Sequence, residues 1–302
     1  MCGGEIRLNT IEFTVVVALG SFLAGMLGSL TGLGGGVVIV PLLTLVFGVD
    51  IRYAIGASLV SVIATSSGAA AAYLREGYSN MRVGMFLEVA TTMGALSGAF
   101  IAGYISTSAI AIIFGLALLY SAYTSWRTPK DPEPGLPPDE LATRLKLDGT
   151  YPADKSAGAA PDAGQAAKHS NAERISYHVR NVPAGFSLMY VAGVLSGLLG
   201  IGSGAVKVLA MDQAMKIPFK VSTTTSNFMI GVTAAASAGI YLRRGYIDPA
   251  LALPVMLGVL AGALTGARIL PGAKVKTLRV VFGTVIAALG VQMIFEGFKG
   301  KL

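Results

Sequence analysis

Two short glycine-rich segments of this chain could hold an anion through the backbone. The first runs from Gly32 to Gly36 and the second from Gly200 to Gly204. Glycine allows the backbone to approach a ligand without an intervening side chain, and N–H groups at the start of a helix carry partial positive charge that favours anions. The sequence therefore predicts an anion site where these segments meet. The candidate site residues within them are Gly32, Gly34, Gly35, Gly36, Gly200, Gly202, Ser203 and Gly204.

Hydroxyl and amide side chains follow each glycine-rich segment and could bind the same anion. They are Ser58 after the first segment, and Thr225, Ser226 and Asn227 after the second. Such groups donate hydrogen bonds to oxyanion oxygens without adding charge. Contacts between membrane helices also use small hydroxyl residues, and this is the alternative interpretation for the single hydroxyls. The amide of Asn227 is costlier to bury unused, which favours a place in the site.

Three ionisable residues lie in apolar sequence, where charge is expensive and commonly functional. Lys207 stands three residues after Gly204 and could hold an anion, form an ion pair with Asp212 or reach the membrane surface. Glu88 could relay a proton, pair with Lys207 or face water near the start of its helix. Asp212 could bind a coupling ion or cap the end of a short helix. The sequence leaves these alternatives open.

The glycine-rich segments belong to a duplicated sequence. The sequence separation of Gly32 and Gly200, which we call the repeat interval, also separates Tyr73 from Tyr241. These tyrosines open the related segments Tyr-Leu-Arg-Glu-Gly-Tyr and Tyr-Leu-Arg-Arg-Gly-Tyr. The stretch Gly94 to Ala99 likewise falls on Gly262 to Ala267, and the small residues in both stretches predict close helix contacts. Duplicated apolar halves, each interrupted by glycines at the corresponding place, are typical of transporters with a site between the repeats.

Composition places the chain in a membrane. Hydrophobic residues make up 53% of it, charged residues only 13%, and the mean hydropathy is +0.67, whereas soluble domains have roughly 25% charged residues. Several apolar stretches approach the roughly 20 residues that cross a bilayer as a helix. The sequence therefore predicts an all-α polytopic membrane protein. The predicted long helices are Ile11 to Leu30, Tyr53 to Leu74, Val83 to Tyr104, Thr107 to Trp126, Ala184 to Leu199, Val221 to Leu242, Pro249 to Leu270 and Val280 to Phe295.

Two further apolar segments are too short to cross a membrane. Val37 to Phe47 and Ala205 to Met215 each follow a glycine-rich segment. This predicts a helix that breaks at the glycines and continues as a half-length helix beside a cavity. If each half consists of this broken helix, its half-length continuation and three spanning helices, the Lys and Arg residues lie mainly on one side of the membrane. The odd number of crossings predicts two repeats of inverted topology.

The segment between the two halves differs sharply in composition. It is rich in Pro, Asp, Ala, Gly and Lys, and such sequence buries too little apolar surface to offset the entropy of ordering. One short helix is predicted from Asp139 to Leu147, and His169 and His178 are expected to be solvated. The predicted organisation is a first transmembrane repeat over 1–126, a polar, disordered linker over 127–183 and a second transmembrane repeat over 184–302.

Other sequence features argue against several protein classes. The net charge of +7 comes mainly from helix ends and the linker rather than from a basic face, so we expect no nucleic-acid binding. Cys2 is the single cysteine, which implies no intrachain disulfide. The glycine segments match neither a P-loop nor a dinucleotide fingerprint, and no catalytic triad or metal-spaced cluster is recognisable. We therefore expect no enzymatic activity, cofactor or metal, and a retained helix rather than a removed signal from Ile11 onward.

One set of motifs is shared with a known family. Gly28-Ser-Leu-Thr-Gly-Leu-Gly-Gly-Gly36 leads into Val40-Pro-Leu-Leu43 and Ala54-Ile-Gly-Ala-Ser58, and weaker copies run from Leu198 to Gly204 and from Thr223 to Asn227. These motifs resemble the TauE/SafE sulfite exporter family of toluene-sulfonate uptake permeases. The resemblance implies a secondary transporter in a prokaryotic inner membrane. The substrates that it implies are small sulfur-containing anions such as sulfite, sulfoacetate or other organosulfonates.

Two functional hypotheses of different classes follow. The leading one is alternating access, with the anion between the glycine segments and a proton or sodium ion as the candidate coupling ion. The expected partners are the anion and the lipid bilayer, with a homo-oligomer as the candidate assembly. The alternative is a membrane scaffold or accessory subunit that moves nothing. A membrane enzyme is disfavoured because no nucleophile and base can be paired from the sequence.

Overall fold

The chain folds into a bundle of helices with one small sheet. The computed structural model describes residues 10–31, 36–75, 79–126, 139–152, 174–269 and 275–300. The first half contains α1 (Thr10–Thr31), α2 (Gly36–Pro41), α3 (Ile51–Arg75), α4 (Met81–Ala102) and α5 (Thr107–Trp126). Between the halves lie α6 (Glu140–Arg144), β1 (Gly149–Pro152) and β2 (Arg174–Tyr177). The second half contains α7 (Val182–Leu199), α8 (Gly204–Leu209), α9 (Phe219–Arg243), α10 (Pro249–Ile269) and α11 (Val275–Lys299).

The long helices form where the apolar stretches predict them. α5 has the predicted bounds, and the ends of the other long helices differ from the prediction by about one turn or less in most cases. Among the described residues, α4, α5, α7 and α10 are each long and apolar enough to cross a bilayer. The prediction of a mainly helical, polytopic membrane protein is confirmed, and the two-stranded sheet is an addition that the sequence did not predict.

Each predicted half-length segment forms a short helix that ends in a π-helical turn. α2 continues through Leu42–Val46, and α8 continues through Ala210–Ala214. Before α8 the backbone is left-handed at Gly200 and Gly202, with φ of +67° and +71°, a conformation that glycine adopts at little cost. These glycines end α7 and turn the chain into α8. All residues of α2 are buried, so this half-helix lies inside the bundle.

The helices of the two halves are interleaved. α1 of the first half packs on α10 of the second, and α7 of the second half packs on α4 of the first. The equivalent helices α3 and α9 pack on each other, and so do α5 and α11. Each half therefore completes the packing of the other.

Glycine residues, which have no side chain, allow the interleaved helices to approach each other closely. A Cβ atom on Gly98 of α4 would overlap the backbone oxygen of Val194 in α7, and one on Gly197 of α7 would overlap the backbone of α4. In the equivalent pair, a Cβ atom on Gly262 of α10 would overlap the backbone oxygen of Phe22 in α1. Small residues permit this approach of membrane helices. The predicted helix contacts of both small-residue stretches are confirmed.

Part of the segment between the halves is folded. α6 lies within the predicted short helix, and β1 pairs with β2 in antiparallel fashion. The predicted disorder does not hold for residues 139–152 and 174–181, because apolar side chains such as Leu147 and Val179 are buried there. His178 is exposed, as expected, and its Nδ1 faces Asp148 Oδ2 at 3.3 Å. The remaining parts of the linker, 127–138 and 153–173 with His169, lie outside the described residues.

Asn80 fastens this folded segment to the bundle. Its amide donates hydrogen bonds to Leu147 O at 2.9 Å and to the Tyr177 hydroxyl at 2.7 Å. Its Oδ1 accepts a hydrogen bond from the N–H of Val83 in the first turn of α4. Burial raises the pKa of Tyr177 to about 12, since a phenolate would lose its hydration there. The hydroxyl therefore stays neutral in this contact at physiological pH.

The close approach of α4 and α7 predicts a large cost for one added methyl group. Gly98→Ala is expected to lower the free energy of unfolding by about 1–3 kcal/mol, because the methyl group overlaps the backbone of α7. The thermal unfolding midpoint of detergent-purified protein measures this. The matched control is Gly239→Ala in α9, where, among the described residues, no atom outside its own stretch of helix lies within 4 Å of the added methyl group. Equal midpoints for the two variants would contradict the packing described.

The role of Asn80 predicts a local effect of shortening its side chain. Serine can still cap α4, but it is too short to bond both Leu147 O and Tyr177. Asn80→Ser is therefore expected to speed backbone hydrogen exchange in β1 and β2 and to leave the first turn of α4 protected. Asn80→Ala should speed exchange at both places. Unchanged exchange in the strands of Asn80→Ser would show that other contacts hold the sheet.

Candidate functional site

Ser58 joins the two glycine-broken regions at a buried point. It is fully buried in α3, and its Oγ lies 2.9 Å from Gly200 O and 3.4 Å from Gly36 O. A hydroxyl has one hydrogen to donate, so the nearer carbonyl of Gly200 receives the stronger bond. A Cβ atom on Gly36 would lie 3.4 Å from Gly200 O. The start of α2 and the end of α7 therefore meet beside Ser58.

Ser226 repeats part of this arrangement in the second half. Its Oγ lies 3.4 Å from Gly204 O, the same separation as between Ser58 Oγ and Gly36 O. Ser226 and Gly204 follow Ser58 and Gly36 by the repeat interval, and Ser226 is almost fully buried. Each half-helix thus begins beside a serine of the next long helix.

The two neighbours of Ser226 that the sequence singles out differ in their surroundings. Thr225 is buried, and its Oγ1 accepts a hydrogen bond of 3.1 Å from the Asn80 N–H. Its hydroxyl therefore contacts the residue before α4 rather than a glycine-rich segment. Asn227 lies partly buried in α9.

Ser203 closes the second break against α7. Its φ of +44° is unusual for a residue with a side chain, and its Oγ donates a hydrogen bond of 2.6 Å to Ala192 O. Ser203 and Gly204 line a small cavity that also reaches Val37 of α2 and Ser121 of α5. The cavity therefore lies between the two half-helices. The predicted site residues that lie outside the described residues are Gly32, Gly34 and Gly35.

Lys207 is a buried charge close to the second break. It lies in α8 with no exposed surface, and its Nζ donates a hydrogen bond to Thr233 Oγ1 in α9. Glu88 of α4 is the charged group that attracts it. The structure therefore favours the pairing of Lys207 with Glu88 over an ion pair with Asp212 or a position at the membrane surface. Asp212 lies partly buried in the π-helical turn after α8.

Thr233 connects the two charges. Its Oγ1 lies 2.7 Å from Glu88 Oε1, which also accepts a hydrogen bond of 3.2 Å from Thr92. Glu88 is 9% exposed, and its Oε2 has no hydrogen-bond partner among the described residues. Two buried opposite charges lose hydration, and their attraction compensates only where good hydrogen bonds support both of them. The Thr233 hydroxyl contacts both Lys207 and Glu88 and so provides such support.

Two residues of this region were not predicted from the sequence. Thr233 lies seven residues after Ser226, so the two share a face of α9, and this spacing is the signal that could have identified it. Ser121 carries no comparable signal, because a single hydroxyl in an apolar helix is commonly a helix contact. Its place beside the cavity depends on how α5 packs against the half-helices.

The chain matches one protein family over most of its length. The family model described as Sulfite exporter TauE/SafE matches residues 17–293. The match spans both halves and the segment between them. No solved structure matches the chain.

Curated relatives extend over nearly the whole chain. "Probable membrane transporter protein YunE" of Bacillus subtilis (strain 168) is 27% identical over 296 residues, covering 95% of this chain and 99% of the relative. YdhB of the same organism, named in the same way, is 26% identical and covers 84% and 89%. "Probable membrane transporter protein MJ0441" of Methanocaldococcus jannaschii is 22% identical and covers 90% and 92%. The similarity thus extends to proteins from a bacterium and an archaeon.

The Ser58 contact predicts that its hydroxyl stabilises the junction of the two breaks. Ser58→Ala leaves the buried carbonyl of Gly200 without this donor, and an unsatisfied buried group costs about 1–3 kcal/mol. The unfolding midpoint of the purified protein is expected to fall accordingly. Ser67→Ala is the control, because Ser67 is exposed and bonds only its own helix, at Ile63 O. Equal losses in both variants would argue against a special role of the Ser58 bond.

Proposed function

Because this chain belongs to the sulfite exporter TauE/SafE family, we propose that it is a secondary transporter of small sulfur-containing anions. The proposed substrates are sulfite, sulfoacetate or other organosulfonates. The observation that carries the proposal is the family match over residues 17–293. Relatives covering most of the chain are named as probable membrane transporters, and several helices are able to cross a bilayer. We assign the protein to a prokaryotic inner membrane and assign it no enzymatic reaction.

We propose that the two halves are inverted repeats. The first residues of α3 and α9 are separated by the repeat interval, and so are those of α5 and α11. Phe13 near the start of α1 packs edge-on against Phe47, just beyond the π-helical turn after α2, with ring centroids 5.8 Å apart. This contact supports a hairpin in which α1 enters the membrane and α2 returns to the side of the membrane on which α1 began. Three further crossings then make an odd number, which inverts the second repeat.

The proposed anion site lies between the two glycine breaks. Backbone N–H groups, the hydroxyls of Ser58 and Ser226 and the amide of Asn227 supply neutral hydrogen-bond donors, and Lys207 supplies positive charge. The bond from Ser58 to Gly200 O and the cavity between the half-helices support this placement. In the described conformation Lys207 is engaged with Thr233 and attracted by Glu88. An anion therefore competes with Glu88 for the lysine.

The helix contacts support alternating access between two units. The glycine-mediated contacts tie α1 to α10 and α4 to α7. The half-helix α2 contacts α1 and so belongs with the first pair, and α8 contacts α7 and so belongs with the second. Each unit then carries one half-helix, and α3, which packs on α2 and α10, meets α9 across the boundary. The hydrogen bond from Ser58 to Gly200 crosses this boundary. Rocking of one unit against the other would open the site to each side in turn.

Ligand-induced stabilisation tests the substrate class, because binding to the native state alone raises the unfolding midpoint. Sulfite, sulfate, thiosulfate, sulfoacetate and taurine are compared with acetate on detergent-purified protein. We expect at least one sulfur-containing anion to stabilise the protein, by about 2.7 kcal/mol at a concentration of roughly 100 times Kd. Lys207→Ala should abolish this effect. Lys299→Ala, which removes an exposed lysine at the end of α11, should retain it.

Flux into liposomes that contain only this protein separates transport from the alternatives. Uptake of the stabilising anion is the expected result. Binding without flux would contradict the proposal and favour a scaffold or accessory subunit, and chemical conversion of the anion would favour an enzyme. A Lys207→Ala protein that folds normally and transports at the wild-type rate would remove Lys207 from the site.

A further inference from the structure

A buried polar contact links the two halves of the chain near the proposed anion site. It runs from Lys207 in α8 through Thr233 in α9 to Glu88 in α4. Lys207 has no exposed surface, and Glu88 is buried. The contact therefore places a basic and an acidic group in the interior, where little or no surface of either is exposed.

The repeat equivalents of these residues carry no charge. One repeat interval separates Lys207 from Ile39, Thr233 from Thr65, and Glu88 from Met256. Both charges are thus present at one of the two equivalent places and both are absent from the other. Because apolar residues suffice for the fold at the equivalent place, the charges indicate a function that belongs to the pair.

The two oxygens of Glu88 have different surroundings. Oε1 accepts hydrogen bonds from Thr233 and Thr92. Oε2 is buried without a hydrogen-bond partner among the described residues. An unbonded oxygen of a buried carboxylate is costly, and a proton on Oε2 removes the charge while Oε1 keeps its donors. Oε2 is therefore the atom at which Glu88 can take up a proton without displacing a hydrogen bond already made at that oxygen.

We propose that Glu88 is a proton-binding site and that the protein moves a proton together with its anion. This inference rests on the transport function proposed above. When Glu88 is ionised, Lys207 and Glu88 neutralise each other, and the pair offers an anion little attraction. When a proton from the aqueous phase binds Glu88 Oε2, the positive charge of Lys207 is no longer compensated. An anion at the glycine break then binds with favourable electrostatics.

The short distance from Lys207 to the break makes this coupling effective. Lys207 follows Gly204, the first residue of α8, by three residues, which is about 4.5 Å of rise along a helix. The backbone of Lys207 is therefore within one helical turn of the break, and inside a protein opposite charges attract far more strongly than in water. Coupling is reciprocal, so an anion at the break must in turn strengthen proton binding to Glu88.

The hydroxyl of Thr233 is the group whose hydrogen bonding changes when Glu88 takes up a proton. Its hydroxyl lies 2.7 Å from Glu88 Oε1 and 2.8 Å from Met229 O, and its single hydrogen can serve only one of them fully. A charged carboxylate is the stronger acceptor. Neutral Glu88 loses this advantage, and the hydroxyl is then free to turn towards Met229 O. In both arrangements its oxygen still accepts from Lys207.

Other titratable groups near α4 do not replace Glu88 in this role. Lys207 is the charged group that acts on Glu88 among the described residues. α7 and α9 pack against α4. Their tyrosines Tyr190 and Tyr241 donate hydrogen bonds to Ser97 and to the backbone of α7, respectively. Glu88 and Lys207 are therefore the charges that face each other at this place.

Infrared spectroscopy tests the proton site without any substrate. Difference spectra of reconstituted protein between alkaline pH and about pH 6.5, where carboxyl groups with ordinary pKa values of about 4 stay ionised, should contain the carbonyl band of a protonated carboxylic acid. Glu88→Gln should lose this band, and Glu140→Gln, which alters an exposed carboxylate of α6, should keep it. No titrating band in the wild type, or an unchanged band in Glu88→Gln, would overturn the proposal.

A paired substitution guards against misfolding of the single variants. Removing one partner of a buried ion pair leaves the other charge uncompensated. Glu88→Met combined with Lys207→Ile instead places at this site the residue types of Met256 and Ile39. This variant is expected to unfold at a midpoint no lower than that of Glu88→Gln and to lack the infrared band. A persisting band would overturn the assignment to Glu88.

Proton uptake that accompanies sulfoacetate influx tests the coupling in liposomes. Sulfoacetate is used because its charge, unlike that of sulfite, does not change near neutral pH. The wild type should acidify the lumen during influx. Thr233→Val should reduce the proton uptake per sulfoacetate at least about tenfold, the factor that 1.36 kcal/mol produces. Thr65→Val, the same change at the equivalent position, should retain it.

The outcomes separate this inference from the proposed function. Sulfoacetate influx without proton uptake in the wild type would overturn the inference and leave the transport function intact. Absence of influx for every sulfur-containing anion would count against the transport function, and the infrared result would then still decide whether Glu88 binds a proton. Equal proton uptake by wild type and Thr233→Val would overturn the role of the hydroxyl.

Discussion

The rest of this structure depends on the requirement that backbone groups inside a bilayer find hydrogen-bond partners within the protein. A helix break violates this requirement unless other groups replace the lost bonds. At the break between α7 and α8, the hydroxyl of Tyr241 lies 3.1 Å from Gly197 O and 3.3 Å from Leu198 O, and the hydroxyl of Ser58 reaches Gly200 O from the other half. The packing of α4 and α9 against α7 and α8 encloses this break in protein. A broken helix is thus tolerated because the other half of the chain supplies hydrogen-bond partners to it.

The two halves have helices in the same order, as the proposed duplication predicts, while their chemistry differs. Ser58 and Ser226 stand in the same relation to the start of a half-helix. Lys207 and Glu88 have no charged counterparts, since Ile39 and Met256 occupy the equivalent positions. In the proposed alternating access, similar halves allow motion between two related arrangements, whereas charges that occur in one half-site only give that place the distinct function that we propose. The helix contacts thereby bring a lysine of one half within reach of a glutamate of the other.

The segment between the halves shows how local polarity misleads. Its composition predicts disorder, yet Leu147 and Val179 are buried where the bundle offers them an apolar surface. Asn80 forms hydrogen bonds to this segment through its side chain, and its backbone N–H donates a hydrogen bond to Thr225. One residue therefore connects the small sheet, the start of α4 and the polar face of α9. These contacts link the folded part of the linker to a helix that also carries Ser226 and Thr233.

The sequence by itself determined the class of protein, the places of the long helices, the two half-helices and the chain's resemblance to its family. Each of these follows from local properties, namely apolar length, glycine positions and a constant repeat interval. Only the tertiary structure decided that Lys207 meets Thr233 and Glu88, that Thr225 serves Asn80, and that Ser121 lies beside the cavity. The physical reason is that helical periodicity defines the face on which a residue lies, but not which helix packs against that face. Thr233 and Glu88 are 145 residues apart, and their contact exists because helices of different halves pack together.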